Sequence, residues 1–162
     1  MIKDVEFYHG VVLERLIEGQ VRICITEFEE SSKCSYVLDD KVGIYIKHSS
    51  NRMSPWTYNF TKIHQDVLAE MATRFNDLFV LLVCGRNGIV CLNFNELKTI
   101  LNTDHRDNEW IKVSRGPREK YAVCGTDGKL KMKIAESHFP SVVHDALRVE
   151  SETDMEELIS QS

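Results

Sequence analysis

One lysine in this sequence stands where it could take part in metal-dependent chemistry on a phosphate. Lys47 lies in the segment VLDDKVGIYIKHSS (37–50), after two adjacent aspartates, Asp39 and Asp40, and before small hydroxyl residues. Carboxylates that hold Mg²⁺ beside a lysine activate water against a phosphodiester, because the cation lowers the pKa of the water and stabilises charge on the phosphate. The chemistry therefore depends on which side chains the fold places next to Lys47.

The hydropathy pattern of the chain predicts helices and strands in mixed order. Amphipathic spacing indicates helices, alternating or continuous apolar runs indicate strands, and Gly, Asn and Asp mark turns. The predicted elements are, in chain order, a helix over 4–18, strands over 21–28, 34–38, 42–48 and 56–60, a helix capped by Thr61 and ending near 75, strands over 78–85 and 88–94, a helix over 95–101 capped by Asn95, strands over 110–115, 121–125 and 129–135, and a helix over 138–149. This order indicates an α/β domain of the mixed α+β type, with a central mixed sheet flanked by helices.

The first elements resemble the PD-(D/E)xK restriction-endonuclease-like superfamily. In its Holliday-junction-resolvase-like members, a glutamate followed by arginine lies in the first helix before a glycine, and Glu14, Arg15 and Gly19 occupy those places. In the same family, an acid-x-lysine pair in the third strand is followed by serine or threonine, which is similar to YIKHSS (45–50). The resemblance implies a nuclease-like core with Lys47 and Glu14 at its catalytic centre.

Two acidic positions of that family pattern hold other residues here. The acid two residues before the lysine corresponds to Tyr45, whose phenol is a poor ligand for Mg²⁺, and the acid of the preceding strand corresponds to a position near Ser35. Asp39 and Asp40 fall in the turn between the two strands. The resemblance therefore implies a degenerate site, without a cofactor, that is lined by Glu14, Lys47 and Ser49.

The sequence leaves two alternatives open. An acid that has moved to a neighbouring element would restore an active Mg²⁺-dependent nuclease, with Glu14, Asp39 and Asp40 as alternative metal ligands. Further candidates for a migrated ligand are Glu27, Glu29, Gln65, Asp66 and Glu70. The other alternative is a protein-interaction module without affinity for nucleic acid.

The charge distribution is compatible with a nucleic-acid partner despite a net charge of -5. Five of the 25 acids lie in 150–157, so that residues 1–149 hold 20 acids and 20 bases. The segment 112–133 holds seven bases and two acids, which suits a nucleic-acid footprint and equally suits solvated strand faces. The candidate contact residues are Arg52 and Trp56 in one loop, Arg115 and Arg118 in another, and Lys129, Lys131 and Lys133 on a strand whose Leu130, Met132 and Ile134 face the core. Trp56 has core packing as its alternative role.

Composition and length predict one domain over 1–149, with a nuclease-like core over about 5–93, a β-rich addition over about 94–140, and an acidic tail over 150–162 that is flexible or weakly helical. The longest apolar run, 78–84, is too short to cross a bilayer, so we expect a cytoplasmic protein with no membrane partner. The five cysteines lack a C-x-x-C pair, which favours reduced structural thiols over zinc. The expected function is a catalytically degenerate, nuclease-like module that binds nucleic acid or a protein partner in DNA metabolism or defence.

Overall fold

The computed structural model describes residues 1–19, 22–29, 32–102, 104 and 107–160 of the chain, and the side chains of these residues except 32 and 149–158. The described elements follow one another in the order that the sequence predicted. They are α1 (Asp4–Ile17), β1 (Ile25–Glu29), β2 (Ser32–Leu38), β3 (Val42–Ser49), β4 (Trp56–Thr61), α2 (Lys62–Arg74), β5 (Asp77–Cys84), β6 (Gly88–Asn93), α3 (Phe94–Ile100), β7 (Asn108–Ser114), β8 (Ala122–Gly125), β9 (Gly128–Lys129) and α4 (His138–Ser160). The predicted mixed α+β class is confirmed. Within the described ranges, no helix combines the length and the apolar character needed to span a membrane.

The strands form two sheets. The sequence predicted a central mixed sheet, which corresponds to the larger one, and a β-rich C-terminal addition, whose strands β7, β8 and β9 lie in the smaller sheet together with β4. The larger sheet has the order β1-β2-β3-β5-β6. Among the residues described, the pairing of β3 with β5 is its only parallel one, and the other pairings are antiparallel. The smaller sheet, β4-β7-β8-β9, is antiparallel throughout. β4 and β7 alternate buried and exposed residues, a pattern that suits an antiparallel sheet with one solvated face.

The parallel pair of β3 and β5 requires a crossover, since parallel neighbours cannot be joined by a tight turn. The chain makes it through β4 and α2. β5 is a continuous apolar run because both of its faces are covered: Val80 and Leu82 belong to one buried cluster, and Leu81 and Val83 belong to the other.

The two clusters lie on opposite faces of the larger sheet. On one face, α1 and α4 contribute Val12 and Val143 to a cluster with Ile46 of β3. On the other face, α2 and the smaller sheet contribute Met71 and Phe60 to a cluster with Tyr45 of β3. Because side chains alternate along a strand, Tyr45 and Lys47 share the face of α2, and Ile46 faces α1.

Several local predictions are confirmed in detail. Asp39 and Asp40 have φ values of 52° and 56°, so the turn between β2 and β3 lies where the two aspartates predicted it. The hydroxyl of Thr61 accepts a hydrogen bond from the backbone N–H of His64, which caps α2. All five cysteines are free thiols, and those of Cys84 and Cys91 are buried.

Other boundaries and faces differ from the prediction. α3 is capped by Asn93 rather than Asn95, since the side-chain oxygen of Asn93 accepts a hydrogen bond from the backbone N–H of Glu96 at 2.8 Å. On α2, the polar Gln65 is buried, and its amide donates to the backbone oxygen of Phe60 at 3.2 Å, whereas the apolar Ile63 is 74% exposed. β1 begins at Ile25, and Val21, with which the prediction began this strand, lies outside the described residues.

The strand predicted over 129–135 is mostly absent. The ladder with β8 ends at Lys129, and the chain returns to the smaller sheet only at Ile134, which bridges to Tyr121. Met132, which was predicted to face the core, is therefore 78% exposed. At the other end of the fold, the backbone of α4 is helical through Ser160, and the acidic side chains of 150–157 lie outside the described ones.

Candidate nucleic-acid interface

Lys47 lies near the end of β3 among aromatic, imidazole and thiol groups. Its Nζ is 3.3 Å from Nδ1 of His64 and 5.1 Å from the centroid of the Phe60 ring. Burial lowers the pKa of Lys47, and interaction with Cys34 opposes that shift. Burial also lowers the pKa of His64, and the charge of Lys47 lowers it further. The surroundings of Lys47 thus favour the neutral forms of Lys47 and His64 over their charged forms.

The two positions that the resemblance assigns to metal-binding acids hold Tyr45 and Ser35, which are paired opposite each other. Tyr45 is 1% exposed, and burial raises its phenol pKa above the usual range. Near neutral pH, it is therefore a protonated phenol, which offers a hard dication no anionic oxygen. The residues at these positions do not fit Mg²⁺.

Asp39 and Asp40 lie at the opposite end of β3 from Lys47. The five-residue step from Val42 to Lys47 spans about 16 Å at the usual rise of a strand. Oδ1 of Asp39 accepts from the backbone N–H of Cys24 at 2.8 Å, and the Asp39 N–H donates to the Cys24 oxygen at the same distance. Asp39 therefore holds the chain before β1 against the turn, so the alternative metal set that included both aspartates is not assembled.

Glu14 and Lys47 are also kept apart. Glu14 is exposed on α1, which packs against the face of the sheet opposite Lys47. Of the migrated-acid candidates, Glu70 pairs with Arg74 at 3.0 Å, and Glu27 stands opposite Tyr36. Throughout the described part of the chain, no three His, Cys, Asp or Glu side chains are grouped closely enough to hold one metal ion.

A second surface, which we call the arginine groove, lies where β3 and β5 end. It consists of three adjoining depressions of about 460, 580 and 620 Å³. Tyr8, Gly85 and Arg86 line both the first and the second depression, and Arg52 and Asn87 line both the second and the third. The arginines of the groove are Arg15, Arg52, Arg86, Arg115 and Arg118. Ligands of open α/β sheets commonly bind at the carboxyl ends of parallel strands, which is where this groove lies.

The backbone at the two strand ends fixes the middle of the groove. The N–H of Gly85, directly after β5, donates to the oxygen of Ser49 at the end of β3, at 2.8 Å. Gly85 has a φ of 52°, and a Cβ there would collide with the backbone oxygen of Asn51. The glycine therefore lets the loop after β3 pass close to the β5–β6 turn, and this turn presents the exposed side chain of Arg86.

Arg115 differs from the other arginines because internal contacts hold it in place. Its Nη1, with two hydrogens, lies within hydrogen-bond distance of the Tyr121 hydroxyl, the Asn87 side-chain oxygen and the Glu136 carboxylate, at 2.8, 3.0 and 3.1 Å. Its Nε donates to the backbone oxygen of Glu119 at 2.8 Å. Its guanidinium also lies 4.6 Å from the centroid of the Tyr121 ring. Arg115 thus builds the wall of the groove, whereas Arg52, Arg86 and Arg118 are exposed.

Trp56 borders the third depression but is buried, and the three predicted lysines lie outside the groove. Trp56 is 1% exposed, and its indole N–H donates to the Asn51 oxygen at 2.9 Å, so the predicted stacking contact with a base is not available. Lys129, Lys131 and Lys133 are exposed but do not line the groove, and Lys133 pairs with Glu119 at 3.1 Å.

Sequence reasoning missed the contribution of α1 and of Arg86. Phe7 and Tyr8 were not singled out, and Arg15 entered only through the family resemblance. The segment Gly85–Gly88 joins two strands rather than a strand and a helix, so it lacks the pattern of a phosphate-binding loop. Arginines in or beside the loops after two predicted strands would have been a signal only if those strands were known to be parallel neighbours.

No protein-family model matches this chain, and comparisons with curated proteins and with solved structures also find no match.

Proposed function

We propose that this chain is a cytoplasmic nucleic-acid-binding module, built on a nuclease-like core, that binds without cutting. The observation that carries the proposal is the arginine groove at the ends of β3 and β5. Its lining holds five arginines and two acids, Asp4 and Glu136, and Glu136 is already paired with Arg115. Guanidinium groups spaced along a groove match successive phosphates of a nucleic-acid backbone.

The order of the elements supports the nuclease-like core. A helix, an antiparallel three-strand meander, a crossover containing a helix, and a strand parallel to the third one follow each other over α1 to β5. This is the arrangement that the resemblance to the PD-(D/E)xK superfamily implies. A role in DNA metabolism or defence is part of the same proposal and rests on that resemblance.

Binding without cleavage is supported by the side chains around Lys47. Hydrolysis of a phosphodiester by this class of site uses carboxylates to hold the cation that activates water. Lys47 instead contacts His64 and Phe60, and Tyr45 holds the place of an acid. A lysine with these neighbours lacks the ligands for a hard dication.

The proposal is tested by titrating the protein into labelled DNA at several salt concentrations. Binding should weaken as salt increases, because each phosphate contact releases counterions. Arg52→Ala with Arg86→Ala should weaken binding and lower the salt dependence, whereas Arg148→Ala, an exposed arginine of α4 outside the groove, should change neither. No salt-dependent binding would overturn the proposal and favour a protein-interaction module.

The non-cutting part of the proposal has its own test. We expect single-stranded, duplex and branched DNA to remain intact with the protein in Mg²⁺ or Mn²⁺. Cleavage that disappears in Lys47→Ala would overturn this part and favour the active-nuclease alternative.

A further inference from the structure

We infer that the arginine groove takes single-stranded DNA, with unpaired bases against α1 at one end and phosphates along the arginines. This inference rests on the proposed function and specifies its ligand. Its starting point is the unequal character of the groove: the depression beside α1 is lined by Phe7, Tyr8, Val11, Val83 and Ile89, whereas the other two are lined mainly by polar and charged residues.

The apolar end exposes groups that a double helix has no means to cover. Phe7 is 59% exposed and Val11 is 42% exposed, on the face of α1 that borders the groove. A duplex presents charged phosphates and sugars outward and keeps the faces of its bases stacked inside. An unpaired base, in contrast, offers a planar apolar face that stacks on an aromatic side chain at any sequence.

Tyr8 extends this stacking surface toward the arginines. Its ring is stacked on His48, with centroids 4.6 Å apart and an angle of 14° between the planes. Tyr8 also lines both the apolar depression and the neighbouring one that contains Arg52 and Arg86. A single DNA strand whose bases contact Phe7 and Tyr8 therefore has its phosphate backbone in the part of the groove that contains the guanidinium groups of Arg52 and Arg86.

The polar groups in the middle of the groove favour DNA over RNA. Recognition of RNA relies on hydrogen bonds to the 2′-hydroxyl. The Asn87 oxygen already accepts from Arg115 and from Tyr121, at 3.0 and 2.6 Å, and the Asn51 amide donates to the Pro55 oxygen at 3.5 Å. The oxygen of Asn87 and the amide nitrogen of Asn51 thus serve the structure of the groove rather than a ribose.

Fluorescence anisotropy with three labelled ligands of about 12 nucleotides tests the inference: single-stranded DNA, a blunt duplex, and RNA of the same sequence. We expect the single-stranded DNA to bind about tenfold more tightly than the duplex and at least as tightly as the RNA. Phe7→Ala should weaken the binding of single-stranded DNA about tenfold, because it removes the stacking of one base. The same change should leave the binding of the duplex unchanged. Ile17→Ala is the matched control, since Ile17 is 54% exposed on the same helix but does not line the groove.

The outcomes separate this inference from the proposed function. Equal affinity for single strand and duplex, or an unchanged affinity in Phe7→Ala, overturns the inference and leaves nucleic-acid binding standing. RNA that binds clearly more tightly than DNA overturns the assignment to DNA. Absence of binding to all three ligands overturns the proposed function itself. Circular dichroism of both variants verifies that they are folded.

Discussion

Ser35 of β2 and Tyr45 of β3 lie directly opposite each other in the antiparallel pair, and the two residues are 0% and 1% exposed. Opposed residues of such a pair have Cβ atoms about 5 Å apart and point to the same face. Lys47, two residues beyond Tyr45, shares that face. Two acids at positions 35 and 45 would thus lie together beside the lysine, and a serine and a phenol lie there instead.

This register predicts that a metal site can be created by two substitutions. In Ser35→Asp with Tyr45→Glu, two carboxylates share a buried place, so we expect a lower melting temperature because like charges are held together out of water. Millimolar Mn²⁺ should raise the melting temperature of this variant by several degrees, since a bound cation stabilises the folded state, and should leave the natural protein unchanged. Differential scanning fluorimetry measures both. The neutral variant Ser35→Asn with Tyr45→Gln is the control, and an equal response of the two variants to Mn²⁺ would contradict the prediction.

A second prediction concerns the charge of Lys47. Its pKa is lowered by burial, so the folded state carries a cost for keeping this amine protonated. Lys47→Met keeps the length of the apolar stem over Phe60 and removes the charge. We expect urea unfolding to give a stability equal to or above that of the natural protein, and DNA binding by the groove to be unchanged. A loss of more than about 2 kcal/mol would show that the amine makes a net stabilising contact.

Patterns within a few residues predicted much of this fold, because their causes are local. The aspartates of the β2–β3 turn, the Thr61 cap and the apolar run of β5 each carry their own physical signal. The pairing of β4 with β7 joins Asn59 to Trp110 across two intervening helices and two strands, and no local pattern encodes that choice of partner. The place of β4 in the smaller sheet was therefore not predicted.

The candidate site was predictable only in part, for the same reason. The resemblance assigns Ser35 and Tyr45 to the acid positions, and the structure pairs these two residues opposite each other. The arginine groove depends on β3 and β5 being parallel neighbours, which brings the loop with Arg52 beside the turn with Arg86. The role of Trp56 was ambiguous because an aromatic residue beside a loop can pack in a core or contact a ligand. Trp56 is buried, so it packs in the core.

A third prediction follows from the buried imidazole of His9. Burial, helped by His48, lowers the pKa of His9 from 6.5 to about 4, and its Nδ1 lies 2.9 Å from the hydroxyl of Tyr36. In the unfolded chain, His9 takes up a proton near pH 6.5, whereas in the folded chain it does so only near pH 4. The contribution of His9 to the free energy of unfolding is therefore fully present above pH 6.5 and is lost as the pH falls from 6.5 toward 4. Linkage sets the loss at up to about 3 kcal/mol. His48 and His64, whose pKa values are also lowered, act in the same direction.

Urea unfolding at pH 7.5 and pH 4.5 measures this effect. In His9→Gln, which keeps a polar group near Tyr36 but does not titrate, the difference in stability between the two pH values should shrink by about 2 kcal/mol. An unchanged difference would show that His9 is not the group responsible. His138→Gln, a change at an exposed histidine at the start of α4, is the control.

The last prediction concerns Arg115, which joins three parts of the fold: the β5–β6 turn through Asn87, the smaller sheet through Tyr121, and the chain before α4 through Glu136. Arg115→Ala leaves the Tyr121 hydroxyl and the Glu136 carboxylate without this cation, so we expect a loss of about 2 kcal/mol or more in unfolding free energy. Arg115→Lys should recover little of it, because an ammonium lacks both the Nε that donates to the backbone oxygen of Glu119 and the planar guanidinium that lies against the Tyr121 ring. Arg118→Ala, which removes an exposed arginine three residues away, should leave stability unchanged while weakening DNA binding. Full recovery in Arg115→Lys would mean that charge alone, rather than the geometry of the guanidinium, holds the wall of the groove.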